Sequence, residues 1–254
     1  TRRGGEAAVE KTEEINESLR LTFDTDGLSF GTDAYLLSAY LRGKPEGRAA
    51  ELGAGTGVIS LLCLSRKTFS AISCVEIQPK YGDLIRRNAE ENGFSDRISV
   101  LVRDLRTITA ADCGGEADAV FANPPYLRPN SGFASSESIR EIARRETYGD
   151  ISDFCGTASR LLRWGGYFTV VYRPDRTQEL FASLERSGLT PKRMTAVYAS
   201  EEHPASLILV EAKKGASSGL YLTPPLILGR NGKQTDACRH IYETGGFDER
   251  YYHP

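Results

Sequence analysis

At 254 residues, 40% hydrophobic and 26% charged, the chain can bury the core of one large α/β domain, or of one domain with appendages, without metal or disulfide staples. Its 32 basic and 34 acidic residues leave a net charge of −2, which excludes a global field drawing it onto nucleic acid, and no run approaches the ~18 apolar residues of a membrane span. Cys63, Cys74, Cys113, Cys155 and Cys238 are odd in number and lack a Cys-x-x-Cys pair, which argues against a zinc site or disulfide frame and for reduced thiols in the cytoplasm.

The start, Thr1-Arg2-Arg3-Gly4-Gly5, is polar and has no signal-peptide core. It begins at Thr rather than Met, which points to a truncated or added N-terminus. Residues 1–20 read as irregular or helical. Next, Ser29-Phe30-Gly31-Thr32-Asp33 precedes a short amphipathic helix over 34–41, with Thr32 or Asp33 as N-cap. Strands are predicted at 48–53, 71–77, 98–103, 117–122, 166–172, 193–199 and 206–212, and helices at 57–66, 79–92, 150–163 and 175–187. This alternation predicts an α/β, doubly wound, Rossmann-like sheet of seven mostly parallel strands, apolar where both faces are covered. The short link Ser200–Ala205 makes the last two strands an antiparallel edge hairpin, since a parallel crossover needs about a dozen residues. Residues 1–46 read as an extension whose short helix packs on the site, 47–213 as the core, and 214–254 as an irregular tail.

Gly53-Ala54-Gly55-Thr56-Gly57 forms a strand-to-helix turn where the backbone takes positive φ or a ligand approaches the main chain. Val58 stands where a dinucleotide-binding turn carries its third glycine. Glu51 is placed to accept from a ligand's ammonium, directly or through water, which suits a net-cationic donor better than a pyrophosphate. Glu76 ends the second predicted strand, where an acid binds ribose hydroxyls in doubly wound folds. Asp104 ends the third, where it can accept from an adenine amine. Each acid alone reads equally as an N-cap or a surface charge. Three at successive strand ends beside a glycine turn point to a donor site.

Asn123-Pro124-Pro125-Tyr126 follows the fourth strand, near the switch point where open α/β sheets bind ligands. An adenine amine or side-chain amide is a poor nucleophile because its lone pair is delocalised. Asn123 Oδ1 and the Pro124 carbonyl can both accept from that NH₂, aim the nitrogen and stabilise positive charge as it develops. Prolines stiffen the loop, and Tyr126 offers a stacking face. None of the three His residues lies near these motifs, and no nucleophilic Ser or Cys is required. Alone, the motif would also read as a proline-rich turn that ends a strand.

These residues resemble the class I S-adenosylmethionine-dependent methyltransferases, and within them the Asn-Pro-Pro-Tyr N-methyltransferases. Phe30-Gly31-Thr32-Asp33-Ala34-Tyr35-Leu36-Leu37, Arg144-Arg145-Glu146, Leu222-Thr223-Pro224-Pro225-Leu226, Gly232-Lys233-Gln234-Thr235 and Ile241-Tyr242 resemble one bacterial subgroup, the valine tRNA adenine N6-methyltransferases. The resemblance covers roughly residues 20–245. It implies S-adenosylmethionine as cofactor, held by Gly53, Gly55, Gly57, Glu51, Glu76 and Asp104, with Phe30, Thr32 and Asp33 closing the pocket. It implies acceptor-loop roles for Asn123, Pro124, Pro125 and Tyr126. The substrate would be tRNA beside the anticodon, where an unpaired adenine is cheap to extrude. Arg140, Arg144, Arg145, Lys192 and Arg193 would find phosphates, although Arg140 and Arg144 also fit an ordinary salt-bridged helix face. Neither metal nor membrane is expected, and the chain is read as a monomer or weak homodimer.

Protein glutamine N5-methylation and ribosomal guanine N2-methylation remain rivals, though both usually come with an additional domain. A DNA adenine enzyme would need a target-recognition domain for which there is no room. Intact Glu51, Glu76, Asp104 and Asn123 count against a non-catalytic module that only binds S-adenosylmethionine or RNA.

Overall fold

The computed structural model describes residues 10–16, 19–24, 31–124 and 149–252. In place of the irregular or helical start expected, β1 (Glu10–Asn16) and β2 (Leu19–Asp24) form an antiparallel hairpin. The period-two pattern of Leu19, Leu21 and Phe23 explains it, because all three point into the core. Asn88 on α3 (Pro79–Glu91) and Asn92, the residue that caps its C-terminal end, dock β2 through its backbone. Asn88 accepts from the Thr22 N–H at 2.9 Å, and Asn92 accepts from the Arg20 N–H at 2.9 Å.

Strands β3 (Lys44–Leu52), β4 (Phe69–Glu76), β5 (Ile98–Val102), β6 (Ala117–Ala122) and β7 (Leu162–Tyr172) pair in parallel in the order β5-β4-β3-β6-β7. Beyond β7 comes β9 (Ala205–Lys214), antiparallel to it, and then β8 (Leu189–Tyr198), antiparallel to β9. The predicted hairpin is therefore present. It is not the edge of the sheet, because β10 (Tyr221–Leu222) and β11 (Leu226–Ile227) add to β8 in parallel.

Alternate residues of each central strand feed two cores. Ala49 and Phe121 face α1 (Thr32–Tyr40), α2 (Val58–Ser65) and α3, whereas Ala50, Leu52 and Val120 face α4 (Ile151–Leu161) and α5 (Thr177–Arg186). Asp150 and Asp153 form a reciprocal capping box that starts α4.

Two expectations need correction on the first of these faces. Helix α1 is not amphipathic: Ala34, Leu36, Leu37, Ser38, Ala39 and Tyr40 are all buried. The predicted irregular tail covers its outer side. That tail carries a two-strand ribbon, β12 (Gly229–Arg230) with β13 (Lys233–Gln234), and α6 (Asp236–Thr244), capped by Thr235 Oγ1 and closed by left-handed Gly245. Tyr242 stacks on Tyr35 at 4.6 Å, and Phe247 meets Tyr40 edge-on at 5.1 Å. Arg66 lies over the Tyr35 ring and donates to Ser38 Oγ at 3.1 Å and to the Gly245 carbonyl at 3.0 Å. The tail aromatics thus pack inward, as for Tyr251, which is 2% exposed.

Arg193 is also corrected, because it is buried and cannot meet a phosphate. It donates to Glu211 at 2.9 Å and to the Tyr251 carbonyl at 3.2 Å, with its guanidinium 3.7 Å from the Tyr40 ring centre. Glu211 also takes a 2.7 Å bond from Arg42 Nε. Lys192 donates to the Ser217 carbonyl at 3.2 Å. Removing one partner of such a buried ion cluster leaves charge uncompensated. Glu211→Ala should therefore lower the unfolding free energy by about 3–5 kcal/mol in urea denaturation. A loss below about 1 kcal/mol would mean that water reaches the cluster.

Candidate active site

The strand register brings the predicted motifs together. Leu52 stands opposite Val75 on one side and Ala122 on the other, so β3, β4 and β6 end level. Gly53 and Asn123, the next residues, leave adjacent strands that are about 4.8 Å apart. The turn is tied to β4 by bonds from the Gly53 and Ala54 N–H groups to the Val75 carbonyl, at 2.9 and 3.1 Å. Gly53, Gly55 and Gly57 have φ of 68°, 54° and 78°, a backbone that other residues adopt only with strain. A Cβ at Gly57 would also come within 3.1 Å of Ile85, so glycine here brings α3 close. Sequence reasoning missed Asn88, which reaches this turn from α3. While its oxygen holds β2, its amide nitrogen donates to the Thr56 carbonyl at 3.1 Å. The signal was available: an asparagine three residues after Ile85, on the apolar face of an amphipathic helix.

Glu76, 5% exposed, accepts from the Gly55 N–H through Oε2 and from the Gln78 N–H through Oε1, both at 2.9 Å. Burial pushes its carboxyl up against the lowering effect of those N–H bonds. Ile77 N–H and the Gln78 side chain also donate to this carboxyl, so ribose hydroxyls would have to share it with them. Asp104 follows β5 and caps a short 3-10 turn. Arg106 Nε donates to both of its oxygens and holds its carboxyl below the usual range, so an adenine amine would share Asp104 with this arginine. Glu51 lies inside, 1% exposed, where Oε2 accepts from both the N–H and the hydroxyl of Ser60 on α2. Its carboxylate is thus tied to the helix that follows the glycine turn.

Asn123 is half-buried and Pro124 buried at the end of β6. Asn123 Nδ2 donates to Asp33 Oδ2 at 3.1 Å. Asp33 is not an N-cap, and neither is Thr32: Gly31 holds that position, without a side-chain bond, and the two follow it in the first turn of α1. Thr32 bonds the Tyr242 hydroxyl on α6, away from the turn. Phe30, Pro125, Tyr126, Arg140, Arg144 and Arg145 lie outside the described residues. Among the described residues no cluster of His, Cys, Asp and Glu could hold a metal.

The arrangement fits S-adenosylmethionine by its donor set. A glycine cradle lies beside Glu51, which can meet an ammonium, and Glu76, which can meet a ribose. Across the β3–β6 pairing stands an amide that can accept from an amine.

The family model of the methyltransferase small domain matches residues 18–186. The tRNA1(Val) (adenine(37)-N6)-methyltransferase of Phocaeicola vulgatus is 26% identical over 190 residues, 75% of this chain and 79% of that protein. The protein of the same name from Porphyromonas gingivalis is 28% identical over 185 residues, 69% and 72% of the two chains. A structure described as a predicted O-methyltransferase from Agrobacterium tumefaciens superposes with a TM-score of 0.67 at 24% identity, over 85% of this chain and 98% of that one. M. jannaschii TYW2 in complex with AdoMet gives 0.56 at 12% identity, over 84% and 89%. At these identities the two structures share the fold.

Burial pushes the Glu51 carboxyl from an ordinary 4.5 to about 8, with the Ser60 bonds opposing and the nearby Glu76 charge adding to the rise. A carboxyl raised on folding stabilises the native state below its unfolded value, and that stabilisation is lost as pH climbs through the folded value. Without ligand, Glu51 should therefore erode stability between about pH 5 and 8. Glu51→Gln should flatten that slope, less the part due to Glu76, in denaturant titrations across this range. Parallel profiles for the two proteins would show that Glu51 is ionised in the fold.

Proposed function

The chain belongs to the methyltransferase small-domain family, and from that premise we propose that it methylates N6 of an adenine in tRNA, at position 37 beside the anticodon of tRNA(Val). It is an S-adenosylmethionine-dependent enzyme. The observation that carries the reading is Asn123, one strand away from the glycine turn with its amide nitrogen committed to Asp33.

When bound, the donor supplies an electrophilic methyl on its sulfonium. Gly53, Gly55 and Gly57 would let its amino-acid end approach the backbone, with Glu51 toward its ammonium, Glu76 for its ribose hydroxyls and Asp104 for its adenine amine. Asn123 Oδ1 and the Pro124 carbonyl would accept hydrogen bonds from the two N6–H groups and so orient the nitrogen lone pair toward the donor's methyl. As the nitrogen gains positive charge, both oxygens stabilise it. Tyr126 stacks on the adenine, with Pro125 stiffening the loop. The surplus proton leaves to water after transfer. Arg140, Arg144 and Arg145, just beyond the acceptor loop, meet RNA phosphates in a salt-sensitive way.

The relatives' names support tRNA over a protein amide or ribosomal RNA. All five cysteines are buried free thiols, which supports a reducing compartment, the cytoplasm. No described helix is long and apolar enough to cross a membrane. Among the described residues only Trp164, Leu220 and Leu222 are large exposed hydrophobics, which supports a monomer or weak homodimer. Residues 1–46 and 214–254 serve as flanks of a 47–213 core.

Unmodified tRNA incubated with S-adenosylmethionine should yield N6-methyladenosine by nucleoside mass spectrometry. Asn123→Ala should lower the rate at least about 10²–10³-fold, as removal of one such polar group does elsewhere, while calorimetry shows its donor affinity unchanged. Glu76→Ala should weaken donor binding instead. The reading fails if the wild type binds donor yet methylates no adenine, or if Asn123→Ala loses the donor as well.

A further inference from the structure

We infer that Asp33 is a positioning residue for the acceptor asparagine rather than a wall of the donor pocket. This rests on the methyl-transfer reading above. An aspartate carboxylate only accepts hydrogen bonds, so the amide group facing it must be the NH₂. The 3.1 Å contact from Asn123 Nδ2 to Asp33 Oδ2 therefore decides which end of a nearly symmetric amide faces the reacting nitrogen. Reversed, Asn123 would present N–H groups to the amine of the substrate, where a lone pair is needed to accept its protons. Asp33 prevents that flip.

Two further features hold Asp33 for this task. The first is room: a Cβ at Gly31 would stand 2.5 Å from Asp33 Oδ1, so the carboxylate occupies space that only glycine leaves open. Gly31 has φ of −122°, so this glycine answers to the neighbouring carboxylate and not to backbone strain. The second is rigidity. Helix α1 is clamped by the Tyr35–Tyr242 stack, the Tyr35 hydroxyl on the Tyr242 carbonyl at 3.1 Å, and Arg66 between Ser38 and Gly245. An acid in the first turn also lies at the favourable end of the helix dipole.

The test combines kinetics with a probe that needs no substrate. Asp33→Ala should lower kcat about 10–100-fold, the scale of one lost charge-assisted hydrogen bond, with the calorimetric Kd for S-adenosylmethionine within about 2-fold of wild type. Asp33→Asn can face Asn123 with either its oxygen or its NH₂, so it fixes the orientation only in part, and its kcat should lie between those of wild type and Asp33→Ala. Gly31→Ala should fall between them. In the Asn123→Ala background, Asp33→Ala should cost nothing further. Independently of activity, the Asn123 side-chain NH₂ signal in ¹⁵N spectra, assigned by its absence in Asn123→Ala, should exchange slowly with water in the wild type and faster in Asp33→Ala. Thermal melts confirm that each variant is folded. If the loss appears in donor Kd with kcat intact, Asp33 lines the donor pocket and the inference falls. It falls equally if kcat does not change, if the two substitutions multiply, or if the exchange rate of Asn123 is indifferent to Asp33. If the wild type methylates no adenine while the exchange difference holds, the substrate reading fails and the Asp33–Asn123 clamp stands.

Discussion

Leu52 sits between Val75 and Ala122, and the site follows from that register. A one-residue slip of β6 against β3 would turn Phe121 and Ala122 to the opposite cores and carry Asn123 away from the glycine turn. The register is enforced from both sides of the sheet, because Ala50, Leu52, Val120 and Phe121 are all fully buried. Parallel pairing then delivers four strand ends to the same rim, and the chain places its polar residues there. The apolar interior determines the site geometry, and the rim supplies its chemistry.

Placing acids at that rim works against the burial that aligns them. Glu51 and Glu76 both have raised carboxyls because water is excluded, yet each is tied by N–H donors from the elements it must align. Glu51 holds the start of α2 through Ser60, and Glu76 holds the glycine turn through Gly55. Asn88 does similar work without charge, joining β2, α3 and the Thr56 carbonyl. The turn is therefore braced from three directions before any ligand enters, so less ordering remains to oppose binding.

The C-terminal segment has a structural part that its composition hides. Arg193, Arg42 and Glu211 gather between β8, β9 and the Tyr251–Tyr252 turn, with Arg193 sandwiched by the rings of Tyr40 and Tyr252. Together with the Arg66 clamp, this cluster seats α1 between the sheet and α6. Rigidity in α1 reaches Asn123 through Asp33. A tail remote from the glycine turn in sequence thus supports the acceptor side of the rim.

From the residues alone, the strand–helix alternation from residue 48 to 213, the glycine turn, the acids at three strand ends and the Asn-Pro-Pro element were all legible. Each is a local pattern: period two or 3.6, a positive-φ turn, a residue type at a strand end. The β1–β2 hairpin and α6 were legible in principle, through Leu19-x-Leu21-x-Phe23 and the Thr235–Gly245 caps, but their charged and glycine-rich surroundings masked the signal. Other assignments had no local signature. Arg193 reads as a surface cation until β8 is placed next to β9 and the tail folds over it. Asp33 reads as an N-cap until strand pairing brings Asn123, 90 residues away, within hydrogen-bond reach. Sequence determined which elements form and what chemistry they carry, because backbone preference and side-chain type are properties of short segments. Tertiary structure decided which charges are buried and which polar groups meet, because burial and pairing depend on residues far apart in the chain.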